Sequence, residues 1–196
     1  MYRVIGPIRT RTLRVLWALE EMEQPYEHVI APPHADAVVE FNPAGKVPVL
    51  VVGGVPITDS IAILTYLADK HRGLTFPPGT LERARQDSLT QFINDEFDQI
   101  LWTAARHSFI LPEEHRVPAI KDSLKWEFAR SQARMIARMA EDGPFLMGET
   151  MTIPDILLTH CLNWAVGAKF PVVEDRLRDY AAAMRERPAY LRAAGD

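Results

Sequence analysis

A single cysteine, Cys161, stands in 196 residues, and that scarcity removes whole classes of chemistry. One thiol forms no internal disulfide and no Cys-x-x-Cys redox or zinc arrangement. Its setting, Leu157-Leu158-Thr159-His160-Cys161-Leu162, is an apolar helical run that suits a buried, inert thiol. Charge of one sign is lacking too: 22 Lys and Arg against 26 Asp and Glu leave a net charge of −4, mixed along the chain. That gives no electrostatic reason to expect nucleic acid, and no polybasic anchor for a membrane. No run approaches the roughly 18 apolar residues of a membrane helix. Met1-Tyr2-Arg3-Val4-Ile5-Gly6 is too short an apolar stretch for a signal peptide, so the cytoplasm is the expected compartment. No His, Asp or Glu spacing suggests a metal, and neither an internal repeat nor a low-complexity tract is present.

What remains is an ordinary globular composition, 47% hydrophobic and 24% charged, long enough for one large domain or two small ones with real cores. Tyr2 to Ile5 is a short strand signal, after which Leu13, Leu16, Trp17 and Leu19 recur at helical spacing until Gln24-Pro25. Tyr26-Glu27-His28-Val29-Ile30 alternates as a strand, and a weaker helical segment covers Ala35 to Phe41. After the turn cluster Asn42-Pro43-Ala44-Gly45, Val49-Leu50-Val51-Val52 and Val55-Pro56-Ile57 flank Gly53-Gly54 as a hairpin, and a helix follows from Asp59 to about His71. The order is βαβαββα. Strand–helix–strand units imply parallel pairing through a right-handed crossover, while the hairpin strands must be antiparallel. A small mixed sheet with helices on both faces results, which is the thioredoxin-like arrangement.

The reading therefore places an α/β domain at 1–76, a linker at 77–82 beginning after Phe76, and an all-helical domain at 83–196. In that last domain Leu89, Phe92-Ile93, Phe97, Ile100-Leu101 and Ala104-Ala105 follow a helical period, as do Ile120, Leu124, Phe128, Met135-Ile136 and Met139. Thr152 and Asp155, three apart, are spaced as a capping box, with Met151 and Ile156 as its hydrophobic staple and Pro154 in the first turn.

The most informative segment is Lys46-Val47-Pro48-Val49-Leu50, followed after the hairpin by Asp59-Ser60. Proline donates nothing to a β-ladder, so Pro48 belongs at a strand start and leaves neighbouring backbone groups free. Asp59-Ser60 stands where an N-cap opens a helix, and free N–H groups there attract a carboxylate. The two features together suit an extended, acidic, peptide-like ligand. This pairing resembles the glutathione site of the cytosolic glutathione S-transferase family, and the Thr152–Asp155 box resembles the one opening the buried helix of that family's C-terminal domain. The resemblance runs from Tyr2 to the closing Arg187-Pro188-Ala189-Tyr190 segment.

The resemblance implies a cis Pro48, the α-carboxylate of glutathione at Ser60, its ammonium at Asp59, its cysteinyl amide on the Val47 backbone and its glycyl carboxylate near Lys46. Asp59 departs from the commoner Glu or Gln at that place. A thiol of pKa about 8.5 is only a few per cent thiolate at neutral pH, and lowering that by two units takes roughly 2.7 kcal/mol of differential stabilisation. Gly6-Pro7-Ile8-Arg9-Thr10-Arg11-Thr12 resembles the loop that does this in theta-like and beta-like bacterial members, without its usual Ser or Cys. Thr10 is the preferred hydrogen-bond donor to the sulfur and Thr12 the alternative; that Thr10 simply caps the first helix is the competing reading. Arg9 and Arg11 would add positive potential. Tyr2 lies too early to serve as the tyrosine of the alpha, mu and pi classes.

The expected function is a transferase in which the activated thiolate attacks a small hydrophobic electrophile, or reduces a peroxide. Its pocket is expected between the domains, near Arg9, Trp102, His107, Phe109 and Trp164. Each of those aromatic residues by itself suits a core or an interface better, Glu20-Glu21 and Glu113-Glu114 read as solvated, and His160 as a satisfied buried histidine. Glutathione is the expected cosubstrate, with no metal, and a homodimer is expected by resemblance. The rival reading is a non-catalytic glutathione-binding or protein-interaction module on the same fold.

Overall fold

The structure, a computed structural model, describes residues 1–195. The expected βαβαββα order is present as β1 (Tyr2–Ile5), α1 (Leu13–Glu21), β2 (Tyr26–Val29), α2 (Asp36–Val39), β3 (Val49–Val52), β4 (Val55–Thr58) and α3 (Ser60–His71). The four strands lie in the order β2-β1-β3-β4. β1 and β2 are parallel, as a crossover through α1 requires, and β3 and β4 form the antiparallel hairpin.

The second strand–helix–strand unit departs from the expected parallel pairing. β3 runs antiparallel to β1, with Ile5 opposite Val49 and Val4 opposite Leu50. α2 has only 4 residues, too few to carry the chain back along the sheet as a crossover helix. Instead the chain turns at Asn42 to Gly45, closed by Gly45 N–H on Asn42 O at 2.8 Å and Asn42 Nδ2 on Lys46 O at 2.9 Å. It then enters on the far side of β1.

Both faces of the sheet are covered. Ile5, Val49 and Val51 pack with Ala31 and Val38 and with half-buried Phe41, on the α2 side. Val4 and Leu50, one residue out of phase, are fully buried on the opposite face. α1 and α3 pack together, burying Val15, Leu16 and Leu19 of one and Ile63, Leu64 and Leu67 of the other. Side chains of this kind contribute about 1.5–3 kcal/mol each when fully buried.

Residues 81–184 form a second unit, built from α4 (Leu81–Ile93), α5 (Gln99–Ala105), α6 (Ile120–Ile136), α7 (Ile153–Gly167) and most of α8 (Asp175–Arg185). α7 opens with the Thr152–Asp155 capping box, with Pro in its first turn. The Asp155 carboxylate is fully buried and collects the N–H of Leu146 (2.8 Å) and of Thr152 (2.7 Å) and the hydroxyls of Thr152 (2.9 Å) and Tyr180 (2.7 Å). Burial pushes its carboxyl above the usual range, and these four donors oppose that. Met151 and Ile156 are buried beside it in sequence, and Cys161 is a buried thiol in no disulfide, its Sγ donating to Asp98 Oδ2 at 3.9 Å. Among the described residues no helix is long and apolar enough to cross a membrane.

The division falls between Thr80 and Leu81, and residues 185–195 belong to the first unit. The helical domain expected over 83–196 thus gives up its last segment: α9 (Pro188–Ala194) packs on α1. Glu20 and Glu21, expected to be solvated, are what hold it. Arg187 makes a two-pronged pair with Glu21, Nε–Oε1 2.6 Å and Nη2–Oε2 2.7 Å, and Arg192 Nε meets Glu20 Oε2 at 2.7 Å. Trp17 Nε1 and Tyr26 Oη also donate to this acid pair, each at 2.8 Å. An acidic pair at a helix end reads as solvated when its cationic partners lie more than 160 residues away in sequence.

Candidate functional site

The loop between β1 and α1 is held at both ends. Gly6 donates its N–H to Val29 O at 3.0 Å, and its carbonyl lies 2.8 Å from His28 Nε2, so β2 fixes where the loop departs. Gly6 has φ of +139°, and a methyl on it would lie 2.3 Å from Thr12 Oγ1 and 2.9 Å from Val47 Cβ. Only glycine fits there, because the loop, Thr12 and Val47 converge on its Cα.

Within the loop Thr10 leaves helical geometry, with φ −122° and ψ −172°. Its hydroxyl donates to Pro7 O at 2.8 Å and accepts from the Thr12 N–H at 3.2 Å. The two threonine hydroxyls lie 2.9 Å apart. A hydroxyl carries one proton, so with Thr10 donating to Pro7 the Thr12 hydroxyl must be the donor between them. Thr10 thus accepts from the backbone just ahead of α1, whose N-cap is Thr12, and it is half-buried, while Thr12 is fully buried. Arg9 is exposed and Arg11 half-buried on the same loop.

Across from Gly6 the Val47–Pro48 peptide bond is cis. Pro48 is buried and Val47 half-buried, and the Val47 N–H and C=O have no hydrogen-bond partner among the described residues. Lys46 is exposed, its carbonyl tied to Asn42 and its ammonium unengaged among the described residues.

The start of α3 is organised by Asp59, not by Ser60. Asp59 is the N-cap, in the sparsely populated region at φ 72° and ψ 123°. Its Oδ1 accepts from Ile61 N–H at 2.9 Å and Ala62 N–H at 3.4 Å, and its carbonyl accepts from Ile63 N–H at 2.9 Å. The Asp59 side chain thus satisfies the N–H groups of Ile61 and Ala62, while that of Ser60 has no partner among the described residues. Asp59 Oδ2 takes part in none of these bonds. The helix start therefore offers one donor and one acceptor side by side, a match for an α-amino acid head group.

Arg14 is a member of this site that sequence reasoning missed. It is 1% exposed, and its Nη1 donates to Ser60 Oγ at 3.3 Å. Among the described residues of the first unit, the buried polar side chains are Thr12, Arg14 and Ser60, and all three belong to this one region. The signal was a cation among the buried positions of α1, between Leu13 and Val15, where a solvated face would otherwise be assumed.

The remaining candidates lie in the second unit. Trp102 and Trp164 are half-buried on α5 and α7, and His160 meets Trp164 edge-on at 6.3 Å. His107 Nδ1 accepts from Val117 N–H at 3.1 Å, and Phe109 is 67% exposed. Among the described residues no group of His, Cys, Asp and Glu could hold a metal ion.

A family model of the glutathione S-transferase N-terminal domain matches residues 10–70. Glutathione S-transferase theta-1 of Rattus norvegicus is 28% identical over 150 residues, a match spanning 74% of this chain and 62% of that protein. The match to the theta-1 protein of Bos taurus likewise spans 65% of the relative, so the chain covers under two thirds of these curated relatives. Among solved structures, a glutathione transferase from Methylococcus capsulatus superposes with a TM-score of 0.85 at 25% identity, covering 100% of this chain and 98% of that one. A theta-class enzyme from Xanthomonas axonopodis pv. citri with glutathione bound gives a TM-score of 0.78 at 24% identity, covering 100% and 97%, and speaks for the fold alone.

Proposed function

We propose, from the premise that this chain belongs to the cytosolic glutathione S-transferase family, that it binds glutathione and activates its thiol for attack on a small hydrophobic electrophile. One observation carries this reading. The unengaged Val47 backbone, the free Ser60 N–H with the open Asp59 oxygen, and the Thr10–Thr12 hydroxyls all border the same Gly6–Arg14 segment.

In this reading the cysteinyl amide of glutathione pairs with the Val47 backbone beside Pro48, as an added strand would. Its α-carboxylate takes the Ser60 N–H, its ammonium takes Asp59 Oδ2, and Lys46 faces the glycyl carboxylate. Arg14 adds a buried positive charge beneath Ser60, which favours the carboxylate. The sulfur then lies toward Thr10. Thr10 must turn its proton from the Pro7 carbonyl to the sulfur, exchanging a neutral acceptor for a charged one, and hydrogen bonds to charged acceptors are about twice as strong. Fully buried Thr12 backs Thr10 instead of reaching the ligand. The protein contributes position and thiolate stabilisation, and the electrophile supplies the leaving group. Arg9, Trp102, His107, Phe109 and Trp164 remain our candidates for recognising that electrophile. A homodimer working in the cytoplasm in detoxification completes the proposal.

One observation favours the rival reading, a glutathione carrier without chemistry: the Thr10 proton is already committed to Pro7. Titration calorimetry with reduced glutathione, combined with thiolate absorbance against pH on the bound complex, separates the two. Binding with a thiol pKa well below 8.5 is the transferase outcome; binding at an unshifted pKa supports the carrier; no binding overturns both.

A further inference from the structure

The chain between β2 and β3 closes on itself before it reaches Val47. The His34 N–H donates to Gly45 O at 2.8 Å, which joins the two ends of a loop that carries α2. Gly45 is buried although Ala44, Lys46 and His34 are all exposed. The His34 imidazole is what covers it: a methyl on Gly45 would lie 2.0 Å from Nδ1 and 2.7 Å from both Cγ and Cε1. Both residues stand in the left-handed region, His34 at φ 66° and Gly45 at φ 67°. Glycine enters that region freely, whereas a side chain persists there where its surroundings hold it. The imidazole makes no hydrogen bond among the described residues, so its part in this closure is packing. From the closure the chain runs straight into the candidate site. Asn42 ties the exit, accepting from Gly45 N–H at 2.8 Å and from Ala44 N–H at 3.2 Å and donating to Lys46 O at 2.9 Å. Val47 follows, packed against the cluster of Ile5, Val38 and Val49. α2 is a single turn with one fully buried side chain, Val38, and a helix so short has no stability of its own.

We propose that His34 is a positioning residue: its ring, packed on Gly45, holds the 34–45 loop shut and so presents Lys46 and the Val47 backbone already arranged for the cysteinyl-glycine half of the ligand. That Lys46 and Val47 meet glutathione rests on the function proposed above, whereas the closure of the loop by the ring does not. Thr10, Asp59 and Ser60 lie outside the loop, so His34 governs affinity and leaves the surroundings of the sulfur alone. A loop that has opened must be ordered again on binding, which weakens affinity without removing any contact of the bound state.

The test compares the full-length protein with His34→Asn, Gly45→Ala and the double variant. Asparagine keeps a residue that tolerates the left-handed region and removes the ring. In ligand-free His34→Asn, amides of residues 38–42 should exchange with deuterium about tenfold faster while those of 63–68 keep their rate, the mark of local opening. Calorimetry should find glutathione bound about fivefold more weakly, with the pKa of its bound thiol unchanged. Gly45→Ala drives a methyl into the ring, so its effect on exchange should shrink once His34→Asn has removed that ring, the non-additivity of a shared contact. Unchanged exchange at 38–42 in His34→Asn overturns the closure, as do acceleration spread equally over 63–68 and additive effects in the double variant. Faster exchange with unaltered affinity, or weaker affinity with a raised thiol pKa, overturns the positioning role. Should Gly45→Ala not fold, His34→Asn decides. If the unmodified protein binds no glutathione, the proposed function fails, and exchange in the ligand-free chain still settles whether the ring closes the loop.

Discussion

Thr10 keeps its only proton on the Pro7 carbonyl, and Ser60 keeps its hydroxyl oxygen under Arg14, so substitutions at the two should separate chemistry from binding. Thr10→Ala should lower turnover by about tenfold to a hundredfold, in line with the loss of one donor to a developing anion, while calorimetry finds glutathione affinity almost unchanged. Full turnover in Thr10→Ala would hand the role to Thr12 or to backbone. Ser60→Ala keeps the N–H but removes the hydroxyl that accepts from Arg14, and should weaken glutathione binding and, with that buried charge-assisted hydrogen bond lost, lower unfolding free energy by about 1.5–3 kcal/mol. A third residue reports on the Glu20 cluster. Burial, together with its hydrogen bond to Glu20, raises the Tyr26 hydroxyl from 10.0 to about 12. The folded chain therefore keeps this proton where the unfolded chain has lost it. The associated stability is fully present below pH 10 and declines between pH 10 and about 12. Tyr26→Phe should flatten that part of the stability curve measured by chemical unfolding, and an unaltered slope would refute the assignment. At this scale the strand start after Pro48 and the cap at Asp59 were legible, because proline and a capping acid carry their conformational meaning locally, whereas the cis bond followed only from the family resemblance. The sequence hid Arg14 and the Glu20–Glu21 pairs, whose meaning lies in partners 46 to 172 residues away.

Elements were legible where a period or a cap announces them. The alternation of β1 and β2, the Gly53-Gly54 hairpin and the Thr152–Asp155 box all read correctly, since each is set by neighbours a few residues apart. The direction of β3 was not legible. Strand polarity depends on how the chain re-enters the sheet, and α2 is a single helical turn that gives no long crossover to reason from. The box also gives a prediction at its own scale. Thr152→Ala should cost about 0.5–2 kcal/mol in chemical unfolding. Asp155→Ala should cost more, at least about 2–3 kcal/mol, because four buried donors lose their shared acceptor. Equal effects of the two substitutions would mean that Asp155 acts only as a cap.

At the scale of the whole molecule, the proposed homodimer should sediment as two chains of 22.2 kDa; a single-chain mass at working concentration would remove that part of the proposal. The units divide between Thr80 and Leu81, and the return of residues 185–195 to the first unit did not show in composition or periodicity. A ribosome makes Glu20 and Glu21 early and Arg187 and Arg192 only after all of residues 81–184 have been threaded out. The first unit is therefore begun before the second and completed after it. During that interval Trp17 of α1 lacks the Tyr190 ring that meets it edge-on in the finished fold, and Glu21 lacks its guanidinium partner.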